Sequence, residues 1–444
     1  MSDNLEIRID GWLPDGVGPD PVARTHAEIF IAAGDFCATE VHDRLANTVR
    51  RTIRASAYLI AAWLASNWWR LTREPHREYF SDPATQLDWK MTHQMGAIGG
   101  GYLWPPLTLS SDGHHVLVQS DVSTSYMRTD LSPIRYISSF SSMVSIEGLE
   151  VAIERFVESV LSRLDALRLR DTPLHQLWKE ISSERKEKRL REIRHIEALL
   201  GLDPDMQSER VKAILRWKSK AGLEAVNEIA AAMTTDHCER VFEQTHTAIR
   251  SIRTFARVEE FGKVESGIVD FGSLRSSIPW ELGKGIAERV RAIWSLGVDP
   301  VPNRKLAELL NVQQGILDTS AADAPVTVGT KGNAEDQLKL VLRQNQNPSS
   351  RRFEIARLLG DFLLCKSNNG WLPVTLAQTA RQKFQRAFAA EFLCPSDALK
   401  VRFEHDVHDN DEREWFVEVQ AQEYEVSSMV IEHHLSNRSA SLVY

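Results

Sequence analysis

Two stretches hold side chains whose types and spacing could do chemistry: residues 351–361 read RRFEIARLLGD, and residues 382–395 read QKFQRAFAAEFLCP. Arg357 and Asp361 stand four apart on one helix face, the spacing of an ion pair. Glu354 shares that face with Asp361 at seven residues' spacing. An arginine is a fixed cation that cannot ligate a metal. Leu358 cannot act as a base, and Gln382 is a poor ligand beside a carboxylate. These residues favour ion pairing and hydrogen bonding over proton transfer. The cluster Glu404-His405-Asp406-Val407-His408-Asp409 could bind a metal through His405 and His408. It opens a run of acids, however, and reads as a solvated acidic loop. Gly99-Gly100-Gly101 precedes Tyr-Leu-Trp and not Lys-Ser/Thr, so a turn is expected there instead of a phosphate loop. His114-His115 beside Asp112-Gly113 reads as a hairpin tip, and one of His433-His434 must face away from the core of a final helix. No Ser-His-Asp or Cys-His arrangement has informative spacing.

The two segments resemble the ImmA/IrrE family of bacterial metallopeptidases, whose pattern is roughly RRF-x-x-A-HExxH followed by E-x-x-A-N-x-FAA-x-LL-x-P. Arg352-Phe353 and Ala356 match the lead-in, and Phe388-Ala389-Ala390-Glu391-Phe392-Leu393 with Pro395 match the second helix. On that pattern the two ligand histidines fall on Arg357 and Asp361, the general-base glutamate on Leu358 and the third ligand on Gln382. A catalytic zinc needs three protein ligands and an open fourth position, and the glutamate takes a proton from the metal-bound water. The resemblance therefore implies a zincin-like scaffold with no catalytic residue, no metal and no other cofactor. Arg357 is expected in the old metal position, bonded to Asp361 and to Gln382. The resemblance extends to 278–312, read as opening helices joined by a Gly-Val-Asp-Pro turn. It also takes in small strands within 327–342, turning at Gly329 and Gly332, and a closing helix pair at 419–437 with Val426-Ser427 at its turn.

A chain of 444 residues with 43% hydrophobic content suggests two or three domains with real cores. Net charge −8 excludes a nucleic-acid coat or a membrane-surface binder as the character of the whole chain. Cys37, Cys238, Cys365 and Cys394 are scattered with no CxxC pair, which argues for a reducing compartment and no structural zinc. The opening MSDNLEIRID lacks a secretory-signal layout. The longest apolar run, 55–69, is too short to span a bilayer. A buried helix in a cytoplasmic protein, away from membranes, is expected.

The expected fold is α+β and mostly helical, in three parts. Residues 1–165 read as a tryptophan-rich α+β domain, with a strand at 5–9, a long helix at 41–71, strands within 98–120 and a helix at 148–167. Residues 166–270 read as helical, with a charged helix at 178–197 presenting a solvated face, an amphipathic stretch at 222–233 and a connection at 258–277. Residues 271–444 form the zincin-like, ImmA/IrrE-type domain with its small sheet.

Active members of the family cleave a repressor or antitoxin. The resemblance implies here a catalytically inactive protein acting as an interaction, sensor or regulatory scaffold in bacterial stress response or phage defence. Its partner would be a protein (toxin, nuclease or regulator) recognised through the old substrate cleft, with homo-oligomerisation also open. Two other readings stand beside this one. A metallopeptidase with a non-standard site would use Glu354, Asp361, His405 and His408, although three converging ligands and a base are not evident. A DNA-binding regulator would use 419–437, with the Arg-rich 185–194 helix on phosphates. Its recognition segment 427–435 reads SSMVIEHHL, without Arg or Lys to reach guanine edges.

Overall fold

The computed structural model describes residues 4–77, 82–124, 132–251, 255–257, 277–313, 315, 324–332, 337–343, 346–364, 370–407 and 409–436. Contacts group the chain into two compact units, Met1–Ser208 and Glu209–Tyr444. The helical stretch expected at 166–270 contributes helices to both. The architecture is mostly helical, with small antiparallel sheets in each unit.

In the first unit, β1 (Leu5–Trp12) pairs with β2 (His26–Ala33), after the short helix α1 (Asp20–Ala23). The other side of β2 carries β3 (Phe36–Cys37) and β6 (Ile53–Ser56). Strands β4 (Val41–Asp43) and β5 (Thr48–Arg50) form a hairpin. The expected helix over 41–71 is thus strand for its first part, and only 57–73 is helical, as α2 (Ala57–Ser66) and α3 (Trp68–Arg73). Local turn chemistry explains the difference. Asp43 Oδ1 accepts from the amides of Leu45 and Ala46, and Asn47 takes φ +51°, so the chain reverses and Thr48 comes to pair with Asp43 and Val49 with His42.

After α4 (Pro83–His93), the glycines Gly99, Gly100 and Gly101 all sit at positive φ, which makes the turn the sequence suggested. Strands β7 (Leu107–Ser111) and β8 (His115–Ser120) meet at the expected hairpin tip, where Asp112 Oδ1 accepts from the amides of His114 and His115. Strand β9 (Ile134–Tyr136) joins β4, and β10 (Phe140–Ser145) joins β8.

Helix α5 (Ile146–Ala166) is N-capped by the Ser145 hydroxyl, which accepts from Gly148 N at 3.0 Å. It buries Leu149, Ile153, Phe156, Val160 and Leu164 against the strands, together with Trp68 and Trp104. The charged run breaks at Glu187 into α6 (Pro173–Lys186) and α7 (Lys188–Leu199). Its face is not wholly solvated as expected. Arg194 is 5% exposed and pairs at 2.7 Å with each of Glu184, Glu197 and Asp205.

The second unit opens with α8 (Ser208–Leu215), α9 (Lys218–Ala221), α10 (Leu223–Ala232) and α11 (Thr235–Ser251). The expected connection at 258–277 lies almost wholly outside the described residues. Helices α12 (Pro279–Ile293) and α13 (Asn303–Leu309) follow, as the resemblance over 278–312 implied. The sheet has the order β11 (Phe255–Arg257), β13 (Gln337–Val341), β12 (Thr327–Lys331), β14 (Trp371–Val374), all antiparallel.

Gly329 is not a turn residue; it lies inside β12, opposite Leu340 and Leu372. A Cβ there would meet Leu338 at 2.9 Å and Leu358 at 3.3 Å, so the glycine admits the helix packed on this strand. That helix is α14 (Pro348–Leu364), and it is buried nearly all round. It packs on α15 (Ala380–Leu393), where Gly360 receives the Phe388 ring. Gly283 of α12 lets the α15 backbone approach, since a Cβ would stand 2.6 Å from the Phe384 carbonyl. Helices α16 (Ser396–Asp406), α17 (Asn410–Glu423) and α18 (Ser428–Leu435) close the unit, the last two forming the expected pair.

Candidate functional site

The middle of α14 faces the N-terminal turn of α15 across the end of β14. Thr379 caps α15 by accepting from Gln382 N at 3.3 Å, and this fixes the Gln382 side chain over the strand end. Gln382 Oε1 accepts from Arg357 Nη2 at 2.6 Å and from Thr375 N at 2.9 Å, and its Nε2 donates to the Pro373 carbonyl at 3.0 Å. Gln385 Nε2 donates to the same carbonyl at 3.2 Å. Arg357 Nη2 also donates to the Thr375 carbonyl at 2.8 Å. Burial, with the neighbouring Arg386 cation, pushes the Arg357 guanidinium down to about 9, so it remains charged at neutral pH.

The Arg357–Gln382 contact is therefore present, but the expected Arg357–Asp361 pair is not. Asp361 instead receives the fork of Arg381, with Nε at 2.8 Å and Nη2 at 2.7 Å. Two parallel bonds to a guanidinium held on the facing helix outcompete one from the same helix four residues back. Leu358 is fully buried and turns to the sheet at Gly329.

Glu354 accepts from Arg343 Nη2 at 3.0 Å and from the Thr327 hydroxyl. It lines a cleft of about 100 Å³ together with Arg343, Arg357, Met233 and Thr375. Helix α10 supplies one wall of this region and reaches further in. Its Glu228 is buried and accepts from the Thr379 hydroxyl at 2.7 Å. Behind it Trp217, Phe242, His246 and Trp371 pack ring on ring at 5.6–6.2 Å, and Gly370 approaches the Ala221 carbonyl too closely for any side chain.

His405 lies on α16, not on a loop. It is exposed there and bonded to its neighbour Asp406 at 2.7 Å. His408 lies outside the described residues. Among the described residues no group of three or more His, Cys, Asp or Glu could hold a metal ion. The residues at the positions that the resemblance assigns to zinc ligands do not fit zinc. One is a cation, one carboxylate is engaged by Arg381, and the glutamine oxygen is shared between Arg357 and Thr375.

Sequence reasoning missed Arg381 and Glu228. Arg381 adjoins Gln382 and could have been weighed with it; Glu228 comes from a distant helix with no motif of its own. In α18, Ile431 and His434 face inward, and the helix carries no Arg or Lys, so it offers no base-reading cation.

Residues 320–436 match the family model described as the IrrE N-terminal-like domain, so a domain of this class occupies the region from β12 to α18. No curated protein and no solved structure matches the chain. No helix among the described residues is long and apolar enough to cross a membrane.

Burial raises the Glu228 carboxyl to about 6, against the opposing charge of Arg381. An unfolded glutamate ionises near 4.5, so the native state holds the proton more tightly and loses stability as pH rises through that window. Glu228→Gln is expected to be about 2 kcal/mol more stable than wild type at pH 8 and no more stable at pH 4. Urea unfolding at the two pH values checks this, and an equal gain at both would contradict it.

Proposed function

We propose that this protein is a catalytically inactive relative of the ImmA/IrrE peptidases. It serves as an interaction, sensor or regulatory scaffold in bacterial stress response or phage defence. The observation that supports this reading is the closed polar network at the positions of the zinc ligands, where Arg357 is tied to Gln382 and Asp361 to Arg381. A frame that keeps the peptidase helices while spending its ligand positions on internal pairing is suited to hold a protein partner and not to cut it. The partner is a protein recognised through the old substrate cleft, whose described part is walled by the end of α10 and lined by Glu354, Arg343 and Arg357.

The test is metal content by mass spectrometry on protein purified without chelator or histidine tag. Less than about a tenth of an equivalent of zinc is expected, since a site with three protein ligands retains its metal. A full equivalent of any transition metal would overturn the reading.

A further inference from the structure

The first unit carries a surface whose two walls each complement themselves. Among the described residues, strand β1 is an edge strand that pairs with β2 alone. Gly34 N donates to the Asn4 carbonyl at 2.9 Å, so Asn4 faces β2. Backbone groups alternate sides along a strand, which turns the N–H and C=O of Leu5, Ile7 and Ile9 to the free edge. A groove of about 630 Å³ runs along that edge, with residues 4–9 on one side and α5 on the other. On α5 the groove is lined by Glu147, Val151 and Arg155 at four-residue spacing. Val151 is 41% exposed, and neither Glu147 nor Arg155 has an ion-pair partner among the described residues.

We propose that this groove is filled by a second copy of the chain, making a two-fold dimer with β1 added to β1 and α5 laid antiparallel on α5. The occupant follows from charge and register. Antiparallel pairing centred on Ile7 sets Glu6 opposite Arg8 of the second copy, and Arg8 opposite its Glu6. It sets Leu5 opposite Ile9 and makes Ile7 meet Ile7, using the outward-facing backbone groups. Packing of α5 centred on Val151 sets Glu147 opposite Arg155 twice and buries the exposed valine against its own copy. One axis passing by Ile7 and Val151 satisfies both patterns, as a closed isologous contact requires. An unrelated extended peptide would share the strand pairing, but nothing would match the helix pattern in it.

The experiment is sedimentation equilibrium on the full chain, at concentrations up to about 100 μM. Wild type is expected at twice the 50.3 kDa chain mass. Val151→Glu and Glu147→Arg, both at exposed positions, are expected to give folded monomers whose melting no longer depends on protein concentration, while the swap Glu147→Arg with Arg155→Glu returns the dimer. Amide exchange at Leu5, Ile7 and Ile9 should be roughly tenfold faster in Val151→Glu than in wild type. A wild-type monomer throughout, or a dimer that survives both single substitutions, overturns the proposal. So does a charge swap that stays monomeric.

Discussion

Asp361→Ala is expected to destabilise the second unit by about 3–5 kcal/mol, the largest loss at the site. Asp361 is 0% exposed, and Arg381, which forks onto it, is 3% exposed. Removing the carboxylate takes two charge-assisted hydrogen bonds from a desolvated guanidinium whose electrostatic neighbours include the buried Glu228. The pair as a whole contributes far less than this figure suggests, because both charges were taken out of water to make it. Replacing both partners, Asp361→Leu with Arg381→Met, is therefore expected to leave stability within about 1 kcal/mol of wild type or to raise it. Urea midpoints at constant m-value measure the two effects, and amide exchange in α14 and α15 assigns them to this unit. A single substitution as benign as the double one would mean that the charges are solvated.

Acid is expected to weaken the same unit through His434, by about 3 kcal/mol between pH 7 and pH 4. His434 on α18 is buried, and burial lowers its imidazole to about 4, although a hydrogen bond with the Ala390 backbone pulls the other way. Lys284, Lys400 and His433 also oppose a positive charge there, and Nε2 has no partner to receive a second proton. The unfolded chain takes up a proton near pH 6.5 that the native state refuses until about 4. Unfolding is favoured progressively across that window, and the stability is fully present only above it. His434→Gln should flatten the dependence between pH 4 and 7. Wild type and variant with the same pH slope would remove His434 as the cause. The opposite trend of Glu228, which gains from acid, makes such single-site comparisons necessary.

The amino-acid sequence alone determined the frame of the C-terminal domain. The RRF and FAA segments became two buried helices, the 278–312 segment became the helices before them, and the Val426-Ser427 turn separated the last pair. With the resemblance, it also determined which residues stand where that pattern has its zinc ligands, among them an arginine, which cannot ligate whatever its surroundings.

Tertiary structure decided the partners within that frame. Arg357 had a carboxylate at helical spacing, yet Asp361 took Arg381, because a fork from a facing helix can meet both carboxylate oxygens at once. Helix periodicity reports only which residues share a face, and says nothing about what the next helix brings to it. The contact of α10 with the cap of α15 was likewise out of reach, because Glu228 and Thr379 meet across a separation in sequence that carries no motif. In the first unit, the strands at 41–56 were set by an aspartate and an asparagine that turn the chain locally, a competition that apolar spacing does not record.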